Sequence, residues 1–118
     1  MGMETGNRES LEWAKYVIRN SITDEYQSAF DTFILLADSG NADAMFCLGL
    51  VHARGQGVPK DYATAFHWME KAYKLDHKDA TYFLGKMYLN GLGTDKILHK
   101  AISLFKRAAN WNDSRAEM

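Results

Sequence analysis

Displaced by 36 residues, this sequence falls on itself. Ala44 meets Ala80, Leu48-Gly49 meets Leu84-Gly85, Gly55 meets Gly91 and Gly57 meets Gly93. Ala65 then meets Ala101, Ala72 meets Ala108, Phe46 meets Tyr82 and His52 meets Tyr88, with no insertion between the copies. The same step taken backwards sets "EYQSAF" (Glu25 to Phe30) on "DYATAF" (Asp61 to Phe66). A period of this size marks a repeat architecture. Each unit is one supersecondary element that cannot bury its apolar face alone, so neighbouring units must stack.

Within a unit the spacing predicts two helices. The first, about Ala42 to Ala53 and Ala80 to Leu89, carries small or apolar residues at helical intervals: Ala44, Cys47, Leu48 and Val51, then Ala80, Phe83, Leu84 and Met87. "GQGV" and "GLGT" stop these helices, with Gly55 and Gly91 where a left-handed residue closes the last turn. The second helices are predicted over about Asp61 to Leu75 and Asp95 to Asn110, with Asp61 and Asp95 favouring their N-termini. Gly49 and Gly85 fall inside helices, at a cost of about 1 kcal/mol each against alanine. A cost that recurs implies close approach of two helices there. The glycines of "LGLVHARGQGV" are thus helix punctuation. A phosphate-binding loop needs Lys-Ser/Thr after its glycines, where this chain has Val58-Pro59.

The pattern A-x-x-x-L-G, then G-x-G, then a second helix with A-x-x-W and K-A, resembles the Sel-one-like repeat, a relative of the tetratricopeptide repeat. Ala44, Leu48, Gly49, Gly55, Gly57, Val58, Asp61, Ala65, Trp68, Lys71 and Ala72 carry it in one unit. Ala80, Leu84, Gly85, Tyr88, Gly91, Gly93, Ala101 and Ala108 carry it in the next, where Leu104 and Arg107 replace the tryptophan and lysine. The resemblance implies an all-α fold, an α-α superhelix of antiparallel hairpins. On this reading residues 1–8 are a flexible N-terminus and 9–118 a single domain. A degenerate opening unit spans about 9–43, with "LEWAKYVIRN" as its first helix, and full repeats span about 44–79 and 80–115.

Composition limits the function classes. Among 118 residues, 47% are hydrophobic and 25% charged, which suits a soluble globule. A net charge of -1 provides no basic field for nucleic acid or an anionic membrane. The longest apolar run, Phe33 to Ala37, is too short to span a bilayer, and the first residues resemble neither a signal peptide nor a myristoylation site. The single cysteine, Cys47, has no internal disulfide partner, which fits a reducing, cytoplasmic setting. The sequon at Asn112-Asp113-Ser114 is read as chance in that setting.

Little here is catalytic. His52 takes the aromatic slot that Tyr88 fills a unit later, a packed helix-face position. His67 and Glu70 share a helix face, but no third metal ligand is recognisable, and His77 and His99 are read as solvated helix-edge residues. Cys47 aligns with Phe83 as a small buried hydrophobe, and Asp43 and Asp79 are read as helix-start residues. No triad, carboxylate pair or cofactor fingerprint is present, so neither enzyme activity, cofactor nor metal is expected. The rival is a thiol- or metal-dependent hydrolase built on Cys47 and a histidine.

What remains is a surface for a protein partner. By resemblance to tetratricopeptide units, the concave face would present Asp43, Phe46, Leu50 and Ala53, then Asp79, Tyr82, Lys86 and Leu89, extended by Tyr16 and Arg19. The family's range runs from adaptors and scaffolds to bacterial competition, so an immunity protein that occludes a toxin is the alternative reading. The last helix carries two apolar stripes. One is Ile97, Ala101, Leu104 and Ala108; the other is Leu98, Ile102, Phe105 and Ala109. With Trp111, the residues Leu98, Ile102 and Phe105 are expected to form a sticky C-terminal edge, for self-association or for the partner.

Overall fold

A computed structural model describes residues 10–116, with side chains through Asn110. The expected flexible segment 1–8 lies outside the described residues. Among the described residues six α-helices follow one another: α1 (Leu11–Arg19), α2 (Tyr26–Asp38), α3 (Ala42–Arg54), α4 (Tyr62–Lys74), α5 (Lys78–Asn90) and α6 (Leu98–Ala116), with a 3-10 turn at Thr23–Glu25 before α2. Among the described residues there is no strand. Successive helices pack antiparallel into three hairpins, α1–α2, α3–α4 and α5–α6, stacked into an elongated body of 49 × 38 × 23 Å.

Local chemistry sets most of the ends. Ser10 caps α1 by accepting the Trp13 amide at 3.1 Å, Asn41 caps α3 through the Ala44 amide at 2.9 Å, and Asp61 caps α4 through the Thr64 amide at 3.1 Å. α3 and α5 close on Gly55 and Gly91 at φ 69° and 67°. The next amides, of Gln56 and Leu92, reach back to the carbonyls of Val51 and Met87 at 3.0 and 2.9 Å, the six-to-one bond of a Schellman end.

The interior is one continuous cluster running through all three hairpins. Ala44, Leu48, Ala65, Ala72, Ala80, Leu84 and Ala101 are at or below 2% exposed, and small side chains at the contacts let the helices lie close. Gly49 and Gly85 have the packing reason their position implies. A Cβ on Gly49 would stand 2.7 Å from the Met69 methyl, and one on Gly85 would stand 2.8 Å from the Phe105 ring. In each case the second helix of a hairpin lays a large side chain across the first.

The start of α6 differs from expectation. It begins at Leu98, not Asp95, because the repeat carries Asp61 onto Ile97. The Asp61 amide donates to the His52 carbonyl at 2.9 Å, and the Ile97 amide donates to the Tyr88 carbonyl at 3.0 Å. That bond, and the packing of the Ile97 side chain on the core, hold the chain out of helix until Leu98. Isoleucine supplies no acceptor, so α6 starts without a side-chain cap at that position.

Candidate functional site

The first helices of successive units, α1, α3 and α5, border a groove of about 460 Å³. Its apolar floor is Phe33, Phe46, Cys47, Leu50 and Val51, and Lys15, Ile18, Arg19, Arg54, Gln56, Asp43 and Asp79 also line it. Five of the expected concave-face residues therefore meet: Arg19, Asp43, Phe46, Leu50 and Asp79. Lys15, Arg54 and Gln56 were not anticipated. Lys15 belongs to the degenerate unit, where the repeat offers no register, and Arg54 and Gln56 lie at a helix end read only as punctuation.

The other expected face residues go elsewhere. Tyr82 is 48% exposed and joins Lys78, Asp79, Phe105, Ala108 and Ala109 around a second cleft, between α5 and α6. Lys86 extends over the rings of Tyr82 and Phe83 at 5.5 and 5.1 Å. Tyr16, Ala53 and Leu89 line neither cleft, although Tyr16 and Leu89 are exposed. At the C-terminal edge Leu98 and Ile102 are open to solvent, while Phe105 is half-buried and faces the second cleft. Its ring lies over Gly85 and 5.5 Å from the Tyr82 ring, inside the hairpin. The Trp111 side chain lies outside the described residues.

His77 is the main correction. The expected solvated residue is 11% exposed and caps α5, its Nδ1 accepting the Ala80 amide at 3.1 Å. Because Nδ1 accepts, Nε2 carries the ring hydrogen and donates to Asp43 Oδ1 at 2.5 Å. The ring also stacks on Phe46, centroids 4.8 Å apart. The same 36-residue step relates Asn41 to His77, so the caps of α3 and α5 are these residues and not Asp43 and Asp79. Asp43 receives His77 and lies 4.0 Å from Lys15 Nζ. Its charge is thus met from within, whereas Arg19 and Arg54 make no ion pair with any described residue. The groove couples an apolar floor to two guanidinium groups that have no carboxylate partner among the described residues.

Nothing in the groove resembles a reaction centre. Burial pushes the Cys47 thiol up to about 11, the reverse of an activated nucleophile. Burial likewise pulls His52 below its usual value, with its ring edge-on to Phe30 at 5.7 Å. Among the described residues no three His, Cys, Asp or Glu side chains converge as metal ligands, and no helix is long and apolar enough to cross a membrane. One acceptor there is idle: the buried Oε1 of Gln56 takes no hydrogen bond from a described residue.

Stacked helix hairpins with a lined groove define an α-solenoid of the tetratricopeptide kind. The Sel1 repeat family matches residues 42–77 and 78–110, and the chain belongs to that family. A crystal structure of a Sel1 repeat protein from Oxalobacter formigenes superposes with a TM-score of 0.77 at 32% identity, covering 92% of this chain and 43% of that one. Chitin synthase regulatory factor 1 of Schizosaccharomyces pombe is 39% identical over 88 residues, 73% of this chain and 19% of that protein. Human protein sel-1 homolog 2 is 40% identical over 74 residues, 62% of this chain and 11% of that protein. The chain thus spans a fifth or less of the length of these two relatives. Sel1 repeat proteins are protein-interaction adaptors, and the family and fold are generally non-catalytic.

Proposed function

We propose that this chain is a non-enzymatic adaptor that holds a segment of a protein partner in the groove between α1 and α3. The carrying observation is the pairing of that apolar floor with Arg19 and Arg54, which have no carboxylate among the described residues. Apolar anchors beside arginines are what protein interfaces favour. An occupant with an apolar side chain next to an acidic one suits this lining.

The test is affinity capture from the source organism with the wild-type chain and two groove variants, Leu50→Glu and Arg54→Glu. Leu35→Glu, on the exposed outer face of α2, is the control. A partner retained by wild type and by Leu35→Glu, and lost by both groove variants while their thermal melts stay unchanged, is expected. A partner that all four proteins capture equally would refute the groove.

A further inference from the structure

The second cleft is the twin of a surface that the chain itself covers one unit earlier. The 36-residue step carries Asp43 to Asp79, Phe46 to Tyr82, Phe66 to Ile102 and Tyr62 to Leu98. In the earlier unit these positions receive α5 and its glycine turn. His77 donates to Asp43 and stacks on Phe46, and Phe83 turns its edge to Phe46 at 5.6 Å. Tyr88 meets Phe66 edge-on at 5.5 Å, and Gly93 lies so close on the Tyr62 carbonyl that no Cβ would fit. The boundary before that one repeats part of the scheme, with His52 edge-on to Phe30 at 5.7 Å and Gly57 against the Tyr26 ring. In the later unit the same positions stand open. Tyr82, Ile102 and Leu98 are 48%, 44% and 59% exposed, and Asp79 has no ion pair with a described residue.

We infer that this edge binds an amphipathic helix of a partner protein, one that presents a cationic or imidazole N-cap to Asp79. Aromatic residues for Tyr82 and Ile102, then a glycine for Leu98, follow at the spacing of His77, Phe83, Tyr88 and Gly93. The charge of Asp79 selects among occupants. The α1 helix of a second copy is capped by Ser10, a neutral hydroxyl that brings neither imidazole nor cation to Asp79, where α5 brings His77 to Asp43. The edge shares Asp79 with the concave groove but none of its apolar floor or arginines.

The probe is a fluorescein-labelled peptide of residues 77–93, lactam-bridged because so short a helix is marginal alone, titrated into the full chain by anisotropy. Saturable one-to-one binding is expected, weakened at least about fivefold by Asp79→Arg or Ile102→Glu in the protein. Both positions are exposed, and circular dichroism melts confirm that the variants fold. A peptide carrying His77→Glu should bind wild type poorly and recover on Asp79→Arg. Arg54→Glu, in the concave groove, should leave the affinity unchanged, so failure of the groove reading and failure of this one are distinguishable. No saturable signal up to millimolar peptide, or affinity indifferent to Asp79→Arg and Ile102→Glu, overturns the inference. Sedimentation showing self-association that Ile102→Glu abolishes, with the peptide ignored, overturns it in favour of a second copy.

Discussion

Gly85 offers a helix no propensity and still sits in the middle of α5, so tertiary contact must offset its cost of about 1 kcal/mol. What offsets it is the Phe105 ring, together with the Ala101 carbonyl that a Cβ would approach to 3.4 Å. Gly49 has the same place in α3 but faces the methyl end of Met69, a flexible side chain that can give way. The two glycines should therefore respond differently to the same change. Gly85→Ala is expected to destabilise more than Gly49→Ala, and Gly85→Leu to cost about 2 kcal/mol or more through overpacking. Urea melts of the three variants decide it. A Gly85→Leu midpoint equal to wild type would show that Phe105 does not lean on that glycine.

At the scale of the element, α4 and α6 occupy equivalent places with unequal starts. α4 opens on Asp61, whose carboxylate takes both the amide and the hydroxyl of Thr64, and those bonds hold its pKa below the usual carboxylate value. α6 opens after Ile97, which cannot accept anything. Amides of a first turn without a side-chain acceptor are left to water. The Lys100 amide, which the 36-residue step relates to Thr64, should exchange with deuterium measurably faster than the Thr64 amide. Equal protection factors would mean that stacking, and not capping, governs how these helices begin.

For the whole molecule, the stack assigns different tasks to side chains that the repeat makes equivalent. Phe46 lies between hairpins, stacked on His77 and edge-on to Phe83, while Tyr82 stands at an uncovered boundary. Phe46→Ala is expected to cost about 2 kcal/mol, and Tyr82→Ala less than about 1 kcal/mol, as half-exposed positions do. Thermal denaturation checks the pair, and similar shifts for both would show that the unit boundary adds nothing to Phe46.

Periodicity alone determined the hairpin, its 36-residue step, the stops at Gly55 and Gly91 and the burial of the alanine rows, because each is a local or nearest-neighbour property that the chain states twice. Where the register weakens, the sequence determines less. Lys15 of the groove lies in the degenerate unit, and the Asp95 carboxylate that suggests a helix start stands two residues before Ile97, the position the repeat makes equivalent to Asp61. Only the tertiary structure decided that His77 is a cap and clamp on Asp43, for its partners lie in different hairpins and no spacing rule joins them. It also left Phe105 half-buried where Leu98 and Ile102 are exposed, since a stripe on a helix shows which side is apolar, whereas the helix opposite determines how much of that side is covered.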